Sequence, residues 1–165
     1  MKTFPLYITT ISLFFFILLG NGCEHSGLTN IQYQFTESNS VIILNTFAVH
    51  NFPVDTATID TAFVSVDTLV LKISYRGGYT KHQFAVYSDS GFFESYPVQS
   101  DIWLSHQANG DIGKTVITQT LQFDMSPLKR LYQKDYYNDG IHGTIILDIH
   151  EPGSQGLISG VYYNF

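Results

Sequence analysis

Apolar and polar residues alternate in short runs along most of this chain, and this period of two constrains its fold more than any other feature. Successive side chains of a β-strand point to opposite faces, so such alternation is typical of strands with one buried face. Runs of this kind begin near residues 31, 41, 69, 84, 102, 117, 145 and 161. Helical spacing is nearly absent. The sequence therefore predicts an all-β fold with six to nine short strands.

Turn-forming residues separate these runs. Arg76-Gly77-Gly78, Asn138-Asp139-Gly140 and Pro152-Gly153-Ser154 each fall between two of them. Asn109-Gly110-Asp111 is typical of a hairpin loop, because Asn and Gly accept the positive φ that such loops need. Strands joined by short turns pair antiparallel, so we expect an antiparallel β-sandwich of the Ig-like or Greek-key type.

One segment departs from the alternation. Ser126 is a good N-cap residue, and Pro127 suits the first helical position because its missing N–H has no partner there. Leu128 and Leu131 follow at helical spacing. The pattern predicts a single short helix over residues 126–136, laid across one end or edge of the sheet.

The N-terminus has the features of an export leader. Lys2 supplies a positive charge, and the mainly apolar residues 4–19 follow it. This stretch is shorter than the roughly 20 residues that span a bilayer. Gly20-Asn21-Gly22 then precede Cys23, the only cysteine of the chain. The arrangement resembles the lipobox of bacterial lipoproteins, in which the cysteine is acylated and the leader is removed.

The lipobox resemblance implies three parts. Residues 1–22 form the leader, residues 23–30 contain the lipidated Cys23 and a short tether, and residues 31–165 form a single β-sandwich domain. Membrane lipid is then a partner of the chain through acylated, palmitate-bearing Cys23. Glu24 stands where an Asp would favour inner-membrane retention, which implies the outer membrane, on either face. The alternative is an ordinary secretory leader that leaves Cys23 as a free thiol.

Charge excludes one large class of partner. The chain has 8 Lys and Arg residues against 14 Asp and Glu, a net charge of −6, with no basic cluster. Because nucleic-acid binding depends on neutralising phosphates, we expect no nucleic acid among the partners.

A family resemblance covers roughly the middle half of the chain. It rests on the following residues: Asp67-Thr68-Leu69, Ser74-Tyr75, Gly77-Gly78, His82, Phe84, Glu94-Ser95-Tyr96-Pro97-Val98-Gln99, Leu104-Ser105-His106, Ala108-Asn109-Gly110-Asp111 and Leu121, with Phe123-Asp124-Met125-Ser126-Pro127-Leu128 and Tyr132. The pattern resembles uncharacterised lipoproteins of Bacteroidota. The resemblance implies anchoring and a β fold, and it implies no activity. Relatives have cysteines at two places that here hold Tyr79 and a residue near Gly113.

His82 and His106 are the strongest candidates for chemistry. Each lies on a predicted strand, and Asp101 and Asp111 are close in sequence. Two imidazoles and a carboxylate on neighbouring strands could bind a metal such as Zn²⁺, which would make the protein a metal-dependent periplasmic enzyme. The alternative is that both histidines form hydrogen bonds at the margin of the sheet. The chain has no Gly-x-Ser-x-Gly motif, so the sequence favours a protein that is not an enzyme and needs no cofactor.

A second candidate is the aromatic connection that contains Phe92, Phe93 and Tyr96. These rings could form an exposed stacking surface for a sugar or a protein, or they could close the open end of the sandwich. The function we expect from the sequence is that of an envelope lipoprotein serving as a binding or structural accessory module. An envelope protein or a glycan is the expected partner, and a glycan-binding lipoprotein is an alternative.

Overall fold

The computed structural model describes residues 35, 37–45, 51–136 and 142–165, which form eight strands and one helix. The elements, in chain order, are β1 (Ile42–Leu44), β2 (Ala57–Ser65), β3 (Thr68–Gly77), β4 (Gln83–Asp89), β5 (Val98–Gln107), β6 (Thr115–Asp124), α1 (Ser126–Asp135), β7 (Thr144–His150) and β8 (Leu157–Asn164).

The strands form two sheets. One has five strands in the order β1-β4-β5-β7-β8, and the other has three in the order β2-β3-β6. The inward-facing side chains of both sheets and of α1 pack into one hydrophobic core, which includes Leu71, Ile73, Ile102, Leu128 and Leu147. The prediction of an all-β fold with one short helix is confirmed.

Two strand pairs differ from the antiparallel pairing that the short turns suggested. β1 pairs with β4, and β5 pairs with β7, in parallel. Parallel neighbours need a long crossover connection. Here β2 and β3 form the connection from β1 to β4, and β6 and α1 form the connection from β5 to β7. The five-stranded sheet is therefore mixed, and the Ig-like or Greek-key subtype stays a prediction.

Two local expectations were wrong. β2 was not among the predicted strands, because its apolar residues are few and a register shift between Ile59 and Thr61 interrupts their alternation. Asn109-Gly110-Asp111 forms a tight turn with positive φ at Asn109 and Gly110. However, that turn joins β5 to β6, which belong to different sheets, so it is not a hairpin loop.

The helix begins where the sequence predicted, and its N-cap position is Met125, whose side chain forms no capping hydrogen bond. Asp124, one residue earlier, supplies the side-chain hydrogen bonds at the helix start. The Asp124 carboxylate Oδ1 accepts hydrogen bonds from the Ser126 backbone N–H at 2.9 Å and from its hydroxyl at 2.6 Å. Asp124 therefore satisfies an otherwise unpaired N–H at the helix start, a role that the sequence assigned to Ser126.

Several predictions lie outside the described residues. They concern the leader, Cys23 with its tether, most of the run beginning at residue 31, the end of the run beginning at residue 41, and the turn at residues 138–140. Among the described residues, no helix has the length and apolar character needed to cross a bilayer.

Candidate functional site: a buried histidine pair and an open groove

His82 and His106 come together although 24 residues separate them in the sequence. His82 immediately precedes β4, and His106 lies near the end of β5, opposite Phe84. Because β4 and β5 are antiparallel neighbours, the two imidazoles meet, with Nδ1 of His82 2.7 Å from Nε2 of His106. Both residues are buried.

The outer end of this pair contacts Asp111. The Oδ2 atom of Asp111 lies 3.2 Å from Nε2 of His82, and both side chains are almost fully buried. The carboxylate also accepts four backbone N–H groups at 2.7–2.9 Å, those of Gly78, Tyr79, Thr80 and Gly113. These hydrogen bonds favour the ionised form and hold the pKa of Asp111 far below its usual range. Asp111 is therefore a carboxylate at neutral pH.

The inner end of the pair contacts backbone. Nδ1 of His106 lies 2.9 Å from the carbonyl oxygen of Asp55, which can only accept a hydrogen bond. The segment around Asp55 is held against β5 by two backbone hydrogen bonds, one from Asp55 N–H to the His106 carbonyl and one from His106 N–H to the Pro53 carbonyl. The contacts thus form a continuous chain from Asp111 through both imidazoles to a fixed main-chain acceptor.

The number of protons on the two imidazole rings follows from these contacts. Asp111 and the Asp55 carbonyl both accept, so each needs an N–H from the ring that faces it, and the contact between the rings needs a third proton. Two neutral imidazoles carry only two such protons. The complete chain therefore contains one imidazolium, balanced by the Asp111 carboxylate. Burial lowers the pKa of His106. The hydrogen bond to the Asp55 carbonyl opposes this effect, and the Coulombic interaction with His82 adds to it.

Aromatic rings enclose the histidines. Phe84 stacks on His106 with 4.5 Å between ring centroids, and Tyr75 lies 4.6 Å from the His82 ring. All four imidazole nitrogens face hydrogen-bond partners within the protein, and no group of three metal-ligating side chains occurs in the part of the chain that the structure describes. A cation would have to displace one of these hydrogen bonds. Metal binding by His82 and His106 stays a prediction.

Of the two acids that the sequence placed near the pair, Asp101 contacts a different histidine. Its Oδ1 atom lies 2.8 Å from Nε2 of His150, on the neighbouring strand β7. The sequence offered no means of choosing between Asp101 and Asp111, because Asp101 lies on β5 and Asp111 lies in the loop after it, and the choice depends on how that loop folds against His82. It also gave no sign of the Asp55 carbonyl, since a main-chain acceptor leaves no residue-type signal.

The aromatic connection between β4 and β5 divides into two parts. Phe92 packs edge-on against Tyr132 of α1 at 5.9 Å, as expected of a ring that closes the end of a core. Phe93 is 57% exposed and Tyr96 is fully exposed. Tyr96 also forms one wall of a groove of about 640 Å³, whose other aromatic lining residues are Tyr132 and Phe165. The three predicted residues therefore do not form one common surface.

A larger groove, of about 730 Å³, runs beside β6. Its lining includes Tyr75, His82, Phe84, the residues of β6 from Gln119 onward, and residues 37–39. The sequence gave no indication of this groove, because it depends on the order of strands in two sheets.

The fold and its interior define the class of protein: an all-β domain of two sheets with a buried, hydrogen-bonded histidine pair. No known family model and no curated protein matches the sequence. The fold is similar to that of a NigD-like immunity protein from Bacteroides caccae, with a TM-score of 0.52 and 16% identity. The match covers 78% of this chain and 65% of that protein, so the chain spans slightly less than two thirds of its relative.

A candidate lipoprotein from Bacteroides fragilis is also similar, with a TM-score of 0.51, 13% identity and coverage of 78% of this chain and 70% of that chain. At these identities the comparisons establish the fold. Both of these neighbours are proteins of Bacteroides, which agrees with the resemblance of the sequence to uncharacterised proteins of Bacteroidota.

Proposed function

We propose that this protein is a lipid-anchored accessory protein of the cell envelope that acts by binding another molecule. The observation that carries the proposal is the contrast between its interior and its surface. His82, His106 and Asp111 are buried and bonded to one another and to backbone. The exposed features are a groove of about 730 Å³ and the exposed aromatic rings of Phe93 and Tyr96, and both suit recognition.

The anchor in this proposal is Cys23. Its support is the leader-like N-terminus and the small residues before the only cysteine of the chain. One acyl chain binds a bilayer only marginally, whereas two or three hold a protein there essentially permanently, at about 0.8 kcal/mol per buried methylene. The folded domain then stays near the membrane, and its grooves are open to partners in the same compartment.

Fractionation of cells that express Cys23→Ser tests the anchor. We expect this variant to leave the membrane fraction and to lose incorporation of a palmitate analogue, whereas the matched variant Ser26→Ala should keep both. If Cys23→Ser remains membrane-bound and still carries lipid, acylation at this residue is refuted.

A glycan is a second candidate ligand, and the exposure of Tyr96 is the observation that favours it. An exposed ring beside a groove with further aromatic walls can stack on a sugar face. The test is binding to a glycan array by the purified protein and by Tyr96→Ala. Tyr79→Ala is the matched control, since Tyr79 is 80% exposed and does not line this groove. Equal binding by all three proteins, or no binding by any, would exclude this candidate.

A further inference from the structure

The outward face of the three-stranded sheet is exposed across all three strands. Alternate side chains of β2, β3 and β6 point away from the core, and the strand register places them side by side. The exposed ones are Thr58, Asp60, Thr61, Phe63, Lys72, Arg76, Val116, Thr118, Thr120 and Gln122. These residues, together with partly buried Val70 and Ser74, form what we call the outer face.

Charge is distributed unevenly between the two sheets. The strands of the five-stranded sheet carry three acidic residues and no Lys or Arg. Lys72 and Arg76 lie on β3 and belong to the outer face, and exposed Lys114 directly precedes β6. Among the residues that the structure describes, none of these three cations forms an ion pair. Their positive charges are therefore available to an anionic ligand.

Two acids lie on the same sheet, and each has a hydrogen-bond partner. The Asp60 carboxylate accepts the Ser74 hydroxyl at 2.7 Å. Asp124 is at the opposite end of β6 from Lys114, and it accepts hydrogen bonds from Ser126. With Lys114 counted, the three-stranded sheet has three cations against two acids, whereas the whole chain has a net charge of −6. The outer face therefore repels an anion less than the five-stranded sheet does.

Hydroxyl groups occupy the space between the cations. Lys72 and Arg76 are four residues apart on one strand, which places them about 13 Å apart at roughly 3.3 Å per residue. Ser74 lies between them, and its hydroxyl is 3.2 Å from that of Thr118 on β6. A hollow of about 260 Å³ has both Arg76 and Val116 among its lining residues. The outer face thus offers separated positive charges with hydroxyl groups between them.

This composition favours one class of anionic partner. Recognition of anionic lipids relies on clusters of roughly four to eight cations, and nucleic acid carries a denser row of charges than three cations can neutralise. The cores of protein interfaces are rich in aromatic residues, whereas Phe63 is the one aromatic residue of the outer face. An acidic polysaccharide carries carboxylates among many hydroxyl groups. It therefore matches both the spacing of the cations and the hydroxyl groups of this face.

We propose that the outer face binds an acidic polysaccharide. Lys72 and Arg76 would donate charged hydrogen bonds to carboxylates of the polymer, and Arg76 can do so with two parallel N–H groups. The hydroxyls of Thr118 and Thr120 would pair with sugar hydroxyls. Because the charges are exposed, binding should weaken as the salt concentration rises. This inference rests on the proposed binding function and names a surface for it that is separate from the groove beside Tyr96.

Two double variants with the same net charge test the location. One combines Lys72→Gln with Arg76→Gln and removes both cations of the outer face. The other combines Arg130→Gln with Lys134→Gln and removes two exposed cations of α1. The probes are polygalacturonate, alginate and hyaluronate, titrated against the detergent-extracted full chain at low salt. A neutral galactan and polyglutamate serve as controls for sugar without charge and for charge without sugar.

We expect at least one of the three acidic polymers to bind the wild type and the α1 double variant within about twofold of each other. The outer-face double variant should bind it at least tenfold more weakly, because each hydrogen bond to a charged group contributes about tenfold or more. Galactan and polyglutamate should also bind the wild type at least tenfold more weakly. Amide NMR shifts of Thr118 and Thr120 should change on binding to the wild type, and they decide the matter if the outer-face variant proves poorly folded.

Several results would overturn the proposal. These are an absence of binding to all three polymers, equal losses in the two double variants, or unchanged amide shifts at Thr118 and Thr120. Equally tight binding of polyglutamate would overturn it in favour of an acidic protein. Loss of polymer binding in Tyr96→Ala would assign the polymer to the groove beside Tyr96 instead. None of these results affects the Cys23 test, so a failure of this binding is distinguishable from a failure of anchoring.

Discussion

Acid should destabilise this protein through His106, and the expected effect can be calculated from linkage. Burial lowers the pKa of His106, with a further contribution from the charge on His82. The unfolded chain binds a proton at this histidine near pH 6.5, whereas the folded chain resists it. Below pH 6.5 the unfolded state therefore holds more protons, and the free energy of unfolding falls as the pH falls.

Protonation of His106 is also opposed by geometry. The ring already donates from Nδ1 to the Asp55 carbonyl, so a second proton on Nε2 would face the N–H of His82 across 2.7 Å. Each proton bound only in the unfolded state changes the free energy of unfolding by about 1.4 kcal/mol per pH unit. Between pH 6.5 and pH 5 the free energy of unfolding should therefore fall through this histidine, by less than about 2 kcal/mol because the unfolded histidine is only half protonated at pH 6.5. A loss of this order is noticeable against the typical 5–15 kcal/mol.

Urea unfolding at several pH values, followed by the fluorescence of Trp103, the only tryptophan, measures this effect. His106→Gln should cost about 1–3 kcal/mol at pH 7.5, because it disrupts buried hydrogen bonds. It should also remove the additional acid sensitivity of the wild type. His142→Gln, at an exposed position, should leave that sensitivity unchanged. If the wild type and His106→Gln lose stability in parallel from pH 6.5 to pH 5, the proton assignment is wrong.

Three further predictions concern stability and use urea or thermal unfolding. Phe92→Ala should cost about 2 kcal/mol because this ring packs on the helix, whereas Phe93→Ala should change stability by less than about 0.5 kcal/mol; equal losses would contradict the division of the aromatic connection. Asp124→Ala should cost about 1 kcal/mol through loss of the helix cap, and no loss would contradict that role. Tyr163→Phe removes a buried hydroxyl that donates to Asp67 at 2.7 Å, and should cost about 1.5–3 kcal/mol. Burial, followed by that hydrogen bond, raises the pKa of Tyr163. Wild-type stability should therefore also fall above about pH 10, where Tyr163 loses its proton more readily in the unfolded chain. If Tyr163→Phe shows the same alkaline decline as the wild type, Tyr163 is not its cause.

The candidate site shows where inference from the sequence stops. Alternation placed His106 on a strand correctly, because burial on one face leaves a period of two in the sequence. It also placed His82 on a strand, whereas His82 immediately precedes β4. It could not place them next to each other, since adjacency depends on β4 pairing with β5. The choice of Asp111 over Asp101 depends on a loop that folds back to offer four N–H groups to one carboxylate. The sequence gives residue types, whereas the adjacency of the histidines and their contact with Asp111 depend on main-chain geometry.

The sequence by itself determined most of the local features of this protein: its strands other than β2, its one helix, the turn at Asn109 and the leader-like N-terminus. Each of these depends on residues close together in the chain, so each leaves a local pattern. Only the tertiary structure decided which strands pair and why two pairs run parallel. Strand order arises from contacts between distant segments that compete to bury the same apolar faces. The buried histidine pair is a consequence of that order.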